Sequence, residues 1–381
     1  MDREHGIEVN GRESPRTVDD LCERFLAWAE EYYRKPVSRR PTREAANIRC
    51  ALRALRAVAG GIPPAELSAD VLCACQDWMI GAGQARRTIN ANVRKIRRVI
   101  RWAVQPPRRW LPAGVLADLQ TVDPLMPGRT AAPDYEPVKP VPDAVIEATL
   151  PALSSQVRTM ILVQLLTGMR PGEVTLMRGC DIDQGDATWR YKPHEHKTEH
   201  YGHDRIIHIG PQAQDLLRPF LRRDPADYLF DPRDAVSEWN NIRYRLRVTP
   251  LSCGNIPGSN RKLDPRRVPG ERYTTQSYRQ TIHRGCDRVF PPPEPLAKRP
   301  GETEAVRRGR LTAEQRVQLK AWQKVHRWSP NQLRHSAATR LHRDYGMDAA
   351  RAILGHTTAA TTAIYTEMDH AHAAEVMACV G

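Results

Sequence analysis

Residues 328 to 365, WSPNQLRHSAATRLHRDYGMDAARAILGHTTAATTAIY, carry the residue types that a reaction on a phosphate ester would need. Ser329 followed by Pro330 predicts a helix start, since proline loses nothing at the first helical position. Asn331 and Arg334 then fall in the first turns, three apart on one face. Unpaired N–H groups and partial positive charge collect at a helix N-terminus, so an arginine there suits an oxyanion or phosphate. Gly355 ends a second helical run and His356 opens the next segment. On one unbroken helix His356 and Tyr365 would lie about two and a half turns apart and nearly opposite each other. The break at Gly355 and the Thr-rich step from Thr357 to Thr362 free them to converge, so that a tyrosine hydroxyl could face a phosphate held by Arg and His.

A phosphodiester resists attack chiefly because it is anionic, and a site without metal must aim cations at the charge that builds on the non-bridging oxygens. Arginine suits this because its guanidinium is permanently charged and forks onto two oxygens. Arg170 follows the Thr167-Gly168 break that ends a helix, and Pro171 starts the next. By itself an arginine in such a turn reads equally as a surface ion pair. Lys197, in His196-Lys197-Thr198 before the turn of a predicted hairpin, reads alone as a solvated strand lysine. His194, His196, His200 and His203 suggest a metal cluster, but no cysteine or carboxylate accompanies them at structural-site spacing, and no metal is expected.

The order Arg-His-Ser-Ala-Ala-Thr-Arg from Arg334, Leu-Gly-His at His356 and Ile-Tyr-Thr at Tyr365 resembles the C-terminal motif of the tyrosine recombinase (phage integrase) family. Leu166-Thr167-Gly168-Met169-Arg170-Pro171-Gly172-Glu173-Val174 resembles that family's first arginine box. The resemblance covers about 140 to 381, with a weaker likeness to the helical core-binding domain over about 15 to 105. It implies Tyr365 as the nucleophile that forms a 3′-phosphotyrosine, Arg170, Arg334 and His356 as phosphate-binding groups, and Lys197 as the general acid on the leaving 5′-oxygen. It implies Glu173 as a buried orienting carboxylate, and no cofactor. Asn331 departs from the pattern, which most often has His or Lys three residues before the second arginine. An amide can hold a phosphate oxygen or the tyrosine hydroxyl, but cannot accept the phenol proton at neutral pH. The implied partners are duplex DNA with paired half-sites and three further copies of the chain, a homo-tetramer working through a Holliday junction. Accessory DNA-bending or directionality proteins are further candidates. Type IB topoisomerase-like cleavage and religation, or a DNA-binding regulator with impaired catalysis, are the rival readings.

The elements that must position these residues follow from patterning. With 381 residues the chain suits two domains, each able to bury a core, and its net charge of +14 predicts attraction to a polyanion. No apolar run is long enough to span a bilayer and the start MDREHGIEVN lacks the apolar core of a signal peptide. The expectation is a cytoplasmic, nucleoid-associated protein with no membrane partner. Eight cysteines without a CxxC pair read as reduced thiols.

The expected fold is mainly α with a small antiparallel β-sheet: a helical, SAM-like core-binding domain plus a catalytic domain. Residues 1–14 read as a flexible N-terminus and 15–105 as the core-binding domain. There, stripes at Val18, Leu21, Cys22, Phe25 and Leu26, and at Ile48, Leu52, Leu55 and Val58, predict two helices, and a third follows Ser68. The fourth, Thr88 to Ala103, turns Ile89, Val93, Ile96 and Ile100 inward. Between Arg86 and Arg109 lie nine basic residues and no acidic one. Such a face reads either as solvated or as a DNA-backbone surface, with Arg86, Arg87, Arg94, Lys95, Arg97, Arg98 and Arg101 as the contacts. Prolines recurring from 106 to 140 predict a semi-rigid linker. The catalytic domain, 141–381, is expected to hold helices over Val141–Leu166 and Pro211–Arg222, a hairpin from Ala187 to Ile209, and another helix within Arg266–Phe290. An insertion at 291–327, with a charged helix from about Thr312 to Val325, departs from the family's compact spacing.

Overall fold

In the computed structural model of the chain, residues 13–35, 39–195, 205–221, 224–250, 252–253 and 270–355 are described. Lys197, His356 and Tyr365, the histidines at 196, 200 and 203, and the expected flexible N-terminus up to residue 12 lie outside them. The chain divides into two compact units, Met1–Pro137 and Val138–Gly381.

The first unit is helical, with α1 (Val18–Tyr32), α2 (Glu44–Ala59), α3 (Ala69–Gly81), α4 (Arg86–Val104) and α5 (Ala113–Gln120). Side chains start two of these helices: the Thr17 hydroxyl accepts from the Asp20 N–H at 3.2 Å and the Ser68 hydroxyl from the Val71 N–H at 3.4 Å. Apolar residues three and four apart then point one way, and Leu21, Phe25, Ile48, Leu52, Leu72, Met79, Ile89, Val93, Ile96 and Ile100 close a single core. Burial pushes the thiols of Cys22 and Cys75 up to about 12, so both are inert apolar filling at neutral pH.

The linker expected over 106–140 is not observed as such. Pro112 stands at the N-cap of α5, and Leu111, Val115, Leu119 and Val122 are buried in the core of the first unit, whereas residues 133–142 form neither helix nor strand. Leu111, Val115 and Leu119 recur at helical spacing, a signal that the density of prolines masks.

In the second unit α6 (Asp143–Thr149) and α7 (Ser155–Thr167) precede a one-turn α8 (Pro171–Thr175) and a three-stranded antiparallel sheet, β1 (Ile182–Asp183), β2 (Trp189–Tyr191) and β3 (Ile207–Ile209). Trp189 pairs with Ile209 and Tyr191 with Ile207, so β2 and β3 form the two sides of the hairpin. There follow α9 (Pro211–Leu217), α10 (Pro232–Arg245), α11 (Thr275–Val289), α12 (Glu304–Arg310), α13 (Ala313–His326) and α14 (Pro330–Leu354). Helix α10 has no buried residue and is held by polar contacts, with Glu238 accepting from Ser155 Oγ at 2.8 Å and Asp234 from Gln156 at 3.0 Å. Apolar periodicity does not report such a helix.

Helix α7 runs through the middle of this unit, with Val157, Met160, Ile161, Val163, Gln164 and Thr167 buried around its circumference. Fully buried Gln164 donates to the Pro330 carbonyl at 2.8 Å and accepts from the Tyr278 hydroxyl of α11 at 3.2 Å. Farther along, Arg340 donates to the Leu165 carbonyl at 2.6 Å. These bonds fix the start of α14 against the end of α7, the two elements that carry the arginine boxes.

Candidate active site

Helix α7 ends at Gly168, whose φ of 65° is the left-handed conformation of a helix C-cap. A Cβ there would come within 2.7 Å of Leu354 Cδ2, so glycine is required both by the backbone angle and by the close approach of the end of α14. Arg170 and Pro171 then begin α8. Glu173 reaches back to accept from the Arg170 N–H at 2.6 Å and from its Nη1 at 2.8 Å, which fixes the guanidinium over the turn. Tyr191 of β2 donates to the Glu173 carbonyl at 2.8 Å and ties the turn to the sheet.

Arg334 lies on the first turns of α14, and its guanidinium reaches toward the ends of two helices. It is fully buried, and Nη1 and Nη2 donate to the carbonyls of Gly168 at 2.7 Å and Leu354 at 2.8 Å. Both acceptors belong to helix C-termini, where unpaired carbonyls and partial negative charge favour a cation. The chain returns to this point because α14 is bent at Gly346, φ 82° and ψ 173°, and ends at the left-handed Gly355. Asn331, one turn before Arg334, is exposed and makes no side-chain hydrogen bond among the described residues. The hydrogen bond at the start of α14 runs from the Ser329 N–H to Gln332 Oε1 at 2.8 Å.

A third arginine belongs to this group, and no sequence motif marks it. Arg205, 5% exposed, donates through Nε to Glu173 Oε1 at 3.2 Å and through Nη1 to the Ile353 carbonyl at 3.4 Å. A Cβ on Gly355 would collide with its guanidinium. The signal for it is the strand alternation: Arg205 shares the buried face of the hairpin with Ile207 and Ile209, where an arginine needs a partner. Burial pushes the Glu173 carboxyl up, but Arg205, Arg170, the Arg170 N–H and Arg334 outweigh it and hold the group below its usual range. Stability contributed by Glu173 is therefore present above the ordinary carboxylate range and is lost as pH falls through its depressed value. Burial depresses Arg205, opposed by Glu173. One buried carboxylate thus faces three guanidiniums, and the excess positive charge suits an incoming anion.

The sequence model of the phage integrase family matches residues 143–372. The chain belongs to the phage integrase family. Membership makes it a tyrosine-type DNA recombinase, and the matched range contains Arg170 and Arg334. Among solved structures it is similar to a lambda integrase dimer bound to a COC' core site, at 14% identity and TM-score 0.51, covering 93% of this chain and 96% of that one. It is also similar to the Tn1549 transposon integrase with circular intermediate DNA, at 15% identity and TM-score 0.55, covering 96% of this chain and 100% of that one. At these identities the likeness is one of fold. No curated protein matches the chain.

His194, the described member of this integrase's histidine run, places Nδ1 3.0 Å from Asp181 Oδ2, and Asp181 also takes a bidentate pair from Arg178. Among the described residues no group of three or more His, Cys, Asp or Glu is placed to hold a metal ion.

Helix α4 divides the residues of the expected DNA face by their contacts within the chain. Arg97 is turned inward, with Nε on the Leu119 carbonyl at 2.9 Å and Nη2 on that of Val122, so it fastens α5 to α4. Arg86 forks onto Asp134 and donates to the Leu125 carbonyl at 3.1 Å. Arg98 pairs with Glu44 at 2.7 Å, and Lys95 is half-buried with its amine 3.4 Å from Asn92 Oδ1. Arg87, Arg94 and Arg101 remain exposed with no ion pair among the described residues. They recur every seven residues and so share one side of α4. Neutralising Arg87, Arg94 and Arg101 should flatten the salt dependence of duplex binding by about 0.9 in log–log slope for each phosphate no longer neutralised. Arg97→Gln should lower thermal stability and leave that slope unchanged; equal slopes for both variants would return the α4 face to solvent.

Proposed function

We propose that this recombinase cleaves and rejoins duplex DNA at paired half-sites through Tyr365, with half-buried Arg170 and buried Glu173, Arg205 and Arg334 as the anchor of its phosphate site. The observation that carries the reading is the surplus of two cations in that cluster, held rigid by the carbonyls of Gly168, Leu354 and Ile353. Preorganised cations cost no reorganisation when charge builds on the phosphoryl oxygens. The Tyr365 hydroxyl gives its proton to water as its oxygen attacks phosphorus, and the bond to the 5′-oxygen breaks. Lys197 protonates that leaving oxygen, and a 3′-phosphotyrosine and a 5′-hydroxyl result. His356 and Asn331 hydrogen-bond a non-bridging oxygen or the nucleophile. Glu173 and Arg205 act as positioning residues. The free 5′-hydroxyl of one duplex then attacks the phosphotyrosine of its partner, so four copies acting on two sites pass through a Holliday junction. The DNA complexes formed by the lambda and Tn1549 integrases support that partner. Accessory bending or directionality proteins and association with the nucleoid complete the proposal. Among the described residues no helix is long and apolar enough to cross a membrane.

The test is to trap the full chain on nicked suicide duplexes drawn from the DNA of its host element and map the attached residue. A covalent adduct at Tyr365, formed equally in the presence of a chelator, is the expected result. Binding without any adduct would favour a regulator. Adducts that religate without exchange between two sites would favour topoisomerase-like action.

A further inference from the structure

The expected insertion is an ordered, packed piece of the second unit. Leu296, Leu311 and Leu319 form its own small core, and Arg307 is buried with Nε and Nη2 on the Leu296 carbonyl at 3.0 and 2.7 Å. It is fastened to α11 by a bidentate pair between Arg327 and Asp287, at 2.7 and 2.6 Å, and by Trp322 donating to the Phe290 carbonyl at 3.3 Å.

Residues 291–327 contain nine Lys and Arg against four Asp and Glu, and the structure sorts these charges to different places. The acids are met at the α12 end. Glu302 takes Arg310 at 2.8 Å, a hydrogen bond that holds its carboxyl down to about 2, and Glu304 lies 3.6 Å from Arg307. On α13 the cations Arg316, Lys320 and Lys324 are exposed and follow one another at i, i+4 and i+8, along one side of the helix. The one carboxylate of α13, Glu314, precedes Arg316 by two residues and so points about 200° away around the helix. Arg316 Nε rests on the Arg308 carbonyl at 2.9 Å, and neither lysine has an ion pair among the described residues.

We infer that this α13 stripe is a second phosphate-backbone contact, which grips duplex DNA flanking the scissile phosphate and extends the footprint of the catalytic unit. Arg316 to Lys324 spans about 12 Å at 1.5 Å per residue, the axial length of about three or four base-pair steps of duplex. Lys324 precedes Asn331 by seven residues, which keeps the stripe's near end within roughly 25 Å of the first turn of α14. Duplex DNA is the polyanion that the proposed function supplies, and the inference rests on that reading for the identity of its ligand. A like-charged stripe on a second copy of the chain would repel it, so a protomer contact is the less favoured occupant.

The test is the salt dependence of binding by the full chain to a random-sequence duplex, comparing wild type with Arg316→Gln/Lys320→Gln/Lys324→Gln. Because all three side chains are exposed and only the Arg316 bond to the Arg308 carbonyl is lost, the thermal midpoint should fall by no more than about 2 to 4 °C. The slope of log Kd against log salt should fall by about two to three, at about 0.9 for each phosphate released. Arg316→Lys should restore its share, since a phosphate contact needs charge rather than the guanidinium fork, and Val317→Gln/Val325→Gln on the same helix should leave the slope alone. A triple variant with the wild-type slope overturns the inference while leaving the proposed function intact, and so does a triple variant that binds normally but no longer assembles. A wild-type chain with no salt-dependent duplex binding would sink the functional reading itself.

Discussion

Tyr365→Phe should give no covalent protein–DNA adduct on a suicide duplex under conditions where the wild-type chain is trapped. The substitution removes the one oxygen that can form the bond to phosphorus and leaves the ring. Loss of the serine nucleophile costs on the order of 10⁶-fold in a serine protease, and with no oxygen left to bond phosphorus the adduct should fall below detection rather than merely slow. Duplex binding should change by about tenfold at most, the limit set by one hydrogen bond of roughly 1.5 kcal/mol, because the Arg87, Arg94 and Arg101 side of α4 is untouched. The two measurements together decide the assignment. An adduct formed by the Phe variant would move the nucleophile to another hydroxyl, and a variant that neither binds nor reacts would show that Tyr365 holds the fold.

Much of the frame of this site is legible in the sequence because its signals are local. Ser329-Pro330 and Gly355 bound α14, Thr167-Gly168 ends α7, and alternation from Ala187 to Ile209 gives the paired strands β2 and β3. Each is a backbone constraint written in one or two residues. Sequence reading does not show a distant partner. Arg97 and Arg86 read as members of a basic face until Leu119, Val122 and Asp134 are brought to them from more than twenty residues away. The pattern of a helix states which side a residue occupies, but not which carbonyls a later helix will present there. The contacts of Arg334 are hidden for the same reason. Position on the first turn of α14 suggests an N-terminal anion site, whereas its long side chain reaches the C-terminal carbonyls of two helices. Arg205 is detectable in principle, because a charge on the buried side of the hairpin demands a partner.

Arg334→Ala should be the most damaging substitution in the cluster, and on two separable scales. Removing the guanidinium leaves the Gly168 and Leu354 carbonyls without their donors in a fully buried place. An unsatisfied buried acceptor costs about 1 to 3 kcal/mol, so the two together should lower stability by roughly 2 to 6 kcal/mol. For a unit of this size that corresponds to a fall in melting temperature on the order of 10 °C. The ends of α7 and α14 would also lose the cation that offsets their partial negative charge. Cleavage should fall further than stability explains, by at least about 10²- to 10³-fold, the usual effect of deleting one preorganised donor at a developing oxyanion. Arg334→Lys separates the two effects. An ammonium keeps the charge beside Glu173 and can satisfy one of the carbonyls, so it should recover part of the lost melting temperature. It lacks the planar fork needed to hold both carbonyls and still face an oxygen, so cleavage should stay low. Single-turnover cleavage and thermal melting of the three proteins make the comparison. If the lysine variant recovered activity in step with stability, Arg334 would be a strut between two helix ends, and the phosphate site would have to be built on Arg170 and Arg205 alone.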